Sequence, residues 1–234
     1  ATYNVAVGYN AGNDITTGVS NSIVGGLAGD ALTVGGFNVV MGRSALSTDV
    51  AGSKSTAIGF GTLRAQTFSG ATDTMNTAVG FEAGNDITSG IQNTLIGGLA
   101  GDALTDADSN VAIGYLALSS DTLGSKSVAI GEQALATQNF TGAADAYNVA
   151  VGRLAGASIT GGTQNTFIGG LAGDASQGDD HNTFVGFNSG SAVNGGFRNT
   201  FIGKDSGLSM TTGDKNTILG SFNGNADSLD IRTS

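Results

Sequence analysis

The sequence contains a single histidine, and two carboxylates precede it. His181 follows Asp179 and Asp180, and imidazole beside carboxylate occurs both in metal sites and in general acid–base pairs. The grouping occurs once, in a turn-rich stretch between repeats, where a histidine is more often solvated surface. The sequence has no cysteine. It also lacks a nucleophile-elbow motif that would support a catalytic triad of serine, histidine and aspartate. We therefore predict no catalytic residue and expect a protein that is not an enzyme.

A second group of carboxylates recurs at a constant interval. Asp30, Asp102 and Asp174 are equally spaced along the chain, and each follows Ala-Gly. The pairs Asn13–Asp14 and Asn85–Asp86 share another position of that period. Calcium needs several convergent oxygen ligands, and the sequence has no Gly-Gly-x-Gly-x-Asp array. Aspartate that caps turns explains the same residues, so we predict no metal and no cofactor, with calcium in these turns as the open alternative.

The elements that position these side chains are repeats. A five-residue word (Asn, then Thr or Val, an apolar residue, an aliphatic residue and Gly) occurs thirteen times. It begins at Asn4, Asn21, Asn38, Ser55, Asn76, Asn93, Asn110, Ser127, Asn148, Asn165, Asn182, Asn199 and Asn216. Successive words therefore start at a spacing of 17, or of 21 after Ser55 and Ser127, and larger blocks of four words start near residues 1, 73 and 145. We predict a repetitive region over 1–220 and a segment over 221–234 that leads out of it.

The two longer repeats carry insertions at equivalent points. Phe68–Ala71 and Phe140–Ala143 have related sequences, and we expect both to be loops at one edge of the stack. Asn139 begins an Asn-Phe-Thr sequon, a glycosylation signal by pattern only. Because insertions escape the packing constraint of the repeat, these loops are the expected place for receptor contacts.

The columns of the aligned repeats predict the fold. The fifth position is Gly in every repeat, the fourth is always aliphatic and the third is always apolar. Neighbouring residues of a strand point to opposite faces, so both faces of this short strand carry apolar side chains. A 17-residue coil has a perimeter of only about 56 Å at roughly 3.3 Å per residue, which leaves room for a thin core. We predict an all-β parallel β-roll or β-solenoid whose second apolar face is covered by identical chains, most simply an intertwined or side-by-side homotrimer.

Two further columns have structural interpretations. The ninth position is Gly or Leu, and we expect the leucines at Leu46, Leu63, Leu118 and Leu135 to fill a gap in the core. Asn in the first position predicts side-chain amides that bond from coil to coil. Thr166, Thr183, Thr200 and Thr217 form a run in the second position, which would suit an ice-binding lattice. Val interrupts that column elsewhere, and we expect its face to be buried.

The composition excludes several classes of function. The chain has 40 Gly and no Pro, without a three-residue period, and 39% of its residues are hydrophobic, which excludes collagen and a disordered linker. A net charge of −10 has the wrong sign for nucleic acid or an anionic membrane surface. No stretch is long and apolar enough for a membrane span. The chain begins at Ala1 without an initiator Met or a signal-peptide segment, which we take to indicate a processed or partial chain.

Several of the repeat words resemble a known family. Asn110–Gly114 and Ser127–Gly131 resemble the head repeats of YadA-like trimeric autotransporter adhesins. Asn165–Gly173 is similar to the 17-residue arrays of phage tail fibres and related surface proteins. The resemblance extends to about Gly220. It implies a left-handed parallel β-roll in a trimer, located on a virion or on a bacterial surface.

We therefore expect a structural segment of an extracellular trimeric fibre, and we favour a viral tail fibre involved in host attachment. Its expected partners are its own copies and a host-surface glycan or receptor, with neither nucleic acid nor membrane insertion. The head of a bacterial trimeric adhesin is the alternative of the same class. A self-assembling extracellular filament and an ice-binding solenoid are the alternatives of another class.

Overall fold

The computed structural model describes residues 2–224, and they form an all-β parallel β-solenoid of about thirteen coils, in which most coils repeat at a sequence spacing of 17. The chain divides into two compact units, unit 1 over 1–116 and unit 2 over 117–234. Seven coils lie in unit 1 and six in unit 2. The predicted fold class is therefore confirmed. Of the predicted exit segment over 221–234, only 221–224 falls within the described residues.

Each coil contributes one three-residue strand to a parallel sheet. In unit 1 these are β1 (Val5–Val7), β2 (Ser22–Val24), β3 (Val39–Met41), β5 (Thr56–Ile58), β7 (Thr77–Val79), β8 (Thr94–Ile96) and β9 (Val111–Ile113). In unit 2 they are β11 (Val128–Ile130), β13 (Val149–Val151), β14 (Thr166–Ile168), β15 (Thr183–Val185), β16 (Thr200–Ile202) and β17 (Thr217–Leu219). Two smaller parallel pairs join β4 (Gly52–Ser53) to β6 (Thr72–Asp73) and β10 (Gly124–Ser125) to β12 (Ala144–Asp145).

The register of the sheet is the same from coil to coil. Val5 pairs with Ser22, and the same first strand residue pairs with its counterpart at each later step within a unit. The longer coil of unit 1 keeps this register, because Thr56 pairs directly with Thr77. The inserted residues are therefore accommodated outside the sheet, next to the small β4–β6 pair. The predicted loops at one edge are confirmed.

Alternation along each strand separates a core face from an outer face. The middle residue is buried in all coils after the first, and its neighbours on either side point outward. Phe167, Phe184 and Phe201 stack inside unit 2 with ring centroids 5.3 and 4.9 Å apart. The third position is thus the core column. The fourth position lies on the outer face, which in the single chain is partly exposed.

The fifth-position glycines are required by the distance between coils. Gly25 has φ +140°, and a Cβ built on it would lie 2.5 Å from the carbonyl oxygen of Gly42 in the next coil. The same close approach recurs at the fifth-position glycines from Gly8 to Gly97 in unit 1 and from Gly131 to Gly203 in unit 2. Real Cβ atoms do not come that close to backbone, so any side chain here would force the coils apart.

The third and ninth positions of the coils together fill the core. Leu46 and Leu63 are fully buried although each has a left-handed backbone, with φ of 49° and 47°, a conformation that costs about 1 kcal/mol or more for a residue with a Cβ. In the phenylalanine coils the same position is Gly, and a Cβ on Gly173 would lie 2.6 Å from the Phe167 ring. The prediction that leucine fills a gap in the core is confirmed.

The first-position asparagines connect coils through both ends of the amide. Asn93 donates from Nδ2 to the carbonyl of Ala107 in its own coil at 2.8 Å, and also to Asn76 Oδ1 at 3.3 Å. Its own Oδ1 accepts the backbone N–H of Asn110 at 2.9 Å. The predicted amide ladder is confirmed. Its stronger connection, however, is the bond from each side-chain oxygen to the backbone of the next coil.

Where Ser55 replaces asparagine, a buried cluster of polar side chains connects the coils instead. Gln66 donates from Nε2 to Asp49 Oδ2 at 2.6 Å and to Ser55 Oγ at 3.1 Å. It accepts at Oε1 from Asn76 Nδ2 at 2.9 Å. The other oxygen of Asp49 accepts the backbone N–H of Phe68, the first inserted residue, at 3.2 Å. Unit 2 repeats the cluster with Asp121, Ser127, Gln138, Phe140 and Asn148.

Replacing Gly25 by Ala should lower the free energy of unfolding by several kcal/mol, because it adds both a backbone clash and a strained φ. The matched control is Gly26→Ala. Gly26 has no heavy atom within 4 Å of the position that a Cβ would take and no positive φ. Thermal and urea unfolding should show a large loss for the first variant and almost none for the second. Equal effects would contradict the close-approach explanation.

Replacing Gln66 by Ala should destabilise the chain by about 3 kcal/mol, because Asp49 Oδ2 and one of the two Asn76 Nδ2 hydrogens lose their bonds to Gln66 in a buried site. Thr67→Ala changes the next residue, whose side chain is exposed, and serves as the control. Urea unfolding of the two variants provides the test. A loss as small for Gln66→Ala as for Thr67→Ala would show that the cluster contributes little.

Candidate interaction surface

The outer face of the sheet carries no charge. It is built from the second and fourth positions of each coil, which hold only Val, Thr and Ser in the first column and Val, Ile, Leu and Met in the second. No charged residue occupies either column in any coil. Within unit 1, Met41 is 48% exposed and Ile96 is 39% exposed. We call this strip the outer face.

The absence of charge is informative because the chain as a whole is acidic. Contiguous exposed apolar patches mark interaction sites. The threonine hydroxyls of Thr56, Thr77 and Thr94 add hydrogen-bonding groups in a regular row. The outer face therefore has the chemistry of a surface that associates with another apolar surface.

An aromatic ridge runs beside the outer face, at the position that follows the fifth-position glycine. In unit 1, Phe60 and Phe81 stack in parallel, with ring centroids 5.4 Å apart and planes 9° apart. The Arg43 guanidinium lies 5.8 Å from the Phe60 centroid, within the range of a cation–π contact. Tyr9 and Tyr115 continue this column and are more than half exposed. These rings offer flat faces for stacking.

Residues that flank the insertion loops, or pair beside them, place charged and aromatic groups at another edge. Lys54 forms an ion pair with Asp73 at 2.6 Å, and Lys126 forms the equivalent pair with Asp145 at 2.5 Å. In unit 2 the Lys126 ammonium also lies 5.3 Å from the Tyr147 centroid. The sequon residue Asn139 is exposed and its Oδ1 accepts from Thr122 Oγ1 at 3.2 Å.

The recurring aspartates lie in turns, and each has one carboxylate oxygen buried without a hydrogen-bond partner among the described residues: Asp30, Asp102 and Asp174. Burial raises the pKa of all three, and for Asp102 it raises the pKa from 3.8 to about 6. Asp86 and Glu82 add repulsion at Asp102, while the Asp102 backbone amide opposes the rise. Burial therefore destabilises the ionised form of these carboxyls. A role in turn capping alone does not predict this raised pKa.

The residues around the histidine separate in the structure. His181 is exposed in a turn with φ +61°, as expected for a solvated histidine. Asp180 accepts from Thr163 through both the backbone N–H at 2.6 Å and the hydroxyl at 3.0 Å. Asp179, in contrast, is only 1% exposed. The three side chains therefore do not assemble one acid–base site, and the burial of Asp179 was not predicted.

Within residues 2–224, no three histidine, aspartate or glutamate side chains come together in a way that could hold a metal ion. The polar clusters at Asp49 and Asp121 are the main feature that the sequence analysis missed. Their signal was present, since Asp49 and Gln66 recur at the same positions of the next block as Asp121 and Gln138.

Comparisons with protein-family models, curated proteins and solved structures gave no match for this chain. The class is therefore defined by the fold alone, as a parallel β-solenoid of repeated coils. Among the described residues, none belongs to a helix with the length and hydropathy needed to cross a bilayer.

Replacing Asp102 by Asn should stabilise the chain above about pH 6. Between the unfolded value of 3.8 and the folded value of about 6, the native carboxyl retains a proton that the unfolded one releases. Stability from this group is thus present at low pH and is lost as pH rises through that window. The Tm difference between variant and wild type should be small near pH 4 and should grow towards pH 7.

The exposed Asp106 provides the control, since Asp106→Asn should produce no comparable growth of the Tm difference. A Tm difference for Asp102→Asn that stays constant with pH would contradict the assignment of a raised pKa to this carboxyl.

Proposed function

We propose that this chain is a structural segment of an extracellular trimeric fibre, and specifically of a viral tail fibre that takes part in host attachment. The observation that supports the proposal is the uncharged, partly exposed outer face, which runs through the coils of each unit. The sequence resemblance to trimeric β-roll repeats favours the same conclusion.

The energetics of this face favour association with identical copies. Burying an exposed aliphatic side chain at an interface is favourable by roughly 25 cal/mol for every Å² of apolar surface removed from water. Each coil adds the same contribution. Closed rotational symmetry covers the same face on every subunit without leaving an open end. Three copies around an axis place the outer faces towards one another and leave the insertion loops free.

The proposed mechanism is mechanical and multivalent. Glycine contacts and asparagine bonds fix each coil to the next, which gives each unit stiffness along its stacking direction. Three copies present each insertion loop three times, so weak contacts with a host glycan or receptor gain avidity through effective concentration. The loops and the aromatic ridge are the proposed contact regions, because neither is required by the core.

A bacterial trimeric adhesin would use the same surface and remains the alternative of the same class. One observation favours a different class, because the threonine column does point outward beside the aliphatic column. A regular hydroxyl row on a flat sheet would suit ice binding, provided that the face is free in solution. Head-to-tail association into a filament is the third possibility.

The test is the mass of the native assembly, measured by light scattering, with and without a charge on the outer face. Wild type should contain three chains, and Ile96→Glu should dissociate it because three carboxylates would be desolvated at the interface. Circular dichroism should show that the variant monomer keeps its fold. Ser69→Glu, at the exposed tip of an insertion loop, should remain trimeric.

The other outcomes distinguish the alternatives. A wild-type monomer would contradict the trimer and would favour ice binding, which can be measured as thermal hysteresis. Open-ended filaments seen by electron microscopy would favour the polymer.

A further inference from the structure

Asp179 occupies a corner of its coil where the neighbouring coils of unit 2 have glycine. The equivalent residues are Gly162 and Gly196, and all three offer their backbone carbonyl to a first-position asparagine. Asp179 alone adds a carboxylate there, and that residue is 1% exposed. A buried charge needs partners, so the contacts of this side chain are unusual enough to require an explanation.

The carboxylate of Asp179 is aimed at one backbone amide of the next coil. Its Oδ1 accepts a hydrogen bond from the backbone N–H of Gly195 at 2.6 Å. Its Oδ2 is buried and has no hydrogen-bond partner among the described residues. Gly195 has φ +107° and follows Asn194, and both of these residues are exposed.

An asparagine followed by glycine can react with its own backbone. The glycine nitrogen can attack the asparagine side-chain carbonyl carbon, because glycine has no side chain to hinder the approach and because the chain is flexible there. The step that limits the rate is loss of the proton from the glycine backbone nitrogen. A general base must lie within about 2.6–3.2 Å of the proton donor, and Asp179 meets this requirement.

We propose that Asn194–Gly195 is a self-modification site, where Asp179 acts as general base and Asn194 becomes aspartate or isoaspartate through a cyclic imide. A bond forms between the Gly195 nitrogen and Asn194 Cγ, and Asp179 takes the proton from that nitrogen. The bond from Cγ to the side-chain nitrogen then breaks, and the same proton goes to that nitrogen as ammonia leaves. Water opens the imide at either carbonyl, and nothing is oxidised or reduced.

The environment of Asp179 suits this role once the group is ionised. Burial raises the pKa of Asp179, and the charge of Asp180 acts in the same direction. The amides of Gly195 and Gly196 and the Ser176 hydroxyl oppose the rise. A carboxylate with a raised pKa is the stronger base, and Oδ1, which already accepts the Gly195 N–H, is the oxygen that takes the proton.

The sequence contains one other Asn-Gly pair, Asn223–Gly224, which provides an internal reference. The proposed base, Asp179, bonds the Gly195 amide, so the Asn223 site reports the rate of an Asn-Gly pair without this carboxylate. The comparison requires no variant, so it does not depend on whether a substituted chain folds. The inference is also independent of the proposed fibre function, since every group involved lies within unit 2 of a single chain.

The experiment is to incubate the purified full chain at neutral pH and physiological temperature and follow both sites by peptide mass spectrometry over several weeks. Asn194 should gain the mass of amide-to-acid conversion at least about tenfold faster than Asn223. Asp179→Asn keeps a hydrogen-bond acceptor but removes the base, and it should slow Asn194 by a similar factor. Asp106→Asn, which alters an exposed carboxylate of unit 1, should leave both rates nearly unchanged.

Two results would overturn the proposal. One is conversion of Asn194 at the rate of Asn223 or more slowly, which would mean that the hydrogen bond protects the amide instead of activating it. The other is an undiminished rate at Asn194 in a folded Asp179→Asn chain.

Discussion

The approach of one coil to the next at the fifth-position glycine is the constraint on which the rest of this structure depends. A Cβ at any such residue from Gly8 to Gly97 in unit 1, or from Gly131 to Gly203 in unit 2, would overlap the backbone of the following coil, so the strands can stack in register only if no side chain is present. This close contact lets each asparagine oxygen reach the backbone of the next coil. It also places the core residues of adjacent coils within van der Waals distance, as the stacked phenylalanines of unit 2 show.

Tight stacking leaves a thin interior, and the sequence adjusts that interior coil by coil. Leucine at the ninth position occurs only in coils whose third-position residue is smaller than leucine, such as Ala57, and every coil with phenylalanine at the third position has glycine at the ninth. The leucines adopt a left-handed backbone that glycine adopts more easily. Complete burial of a leucine side chain is worth about 1.5–3 kcal/mol, which is enough to offset the conformational cost. The core is thus specified by pairs of columns, while each column alone tolerates variation.

Much of this architecture could be predicted from the sequence, because the determinants repeat. The word spacing predicts the coils, the invariant glycine predicts close backbone approach, and the asparagine column predicts the ladder. The buried clusters at Asp49 and Gln66 were not predicted, since Asp49 and Gln66 come from different coils and no single coil shows the pattern. The burial of Asp179 was missed for the same reason: its contact is with Gly195, in the following coil. Local patterns specify the coil, whereas the corners depend on residues about 17 positions apart.

The insertion at Phe68 leaves the pairing of Thr56 with Thr77 unchanged, and this has a consequence for how such a chain can diversify. Lengthening one corner does not alter the order or alignment of the strands, so the ladder tolerates changes in loop length that would disrupt an ordinary sheet. The buried Asp49 and Gln66 secure the base of the loop and separate its outer residues from the core. A loop of different length or sequence can therefore be accommodated at this corner without a change in the fold.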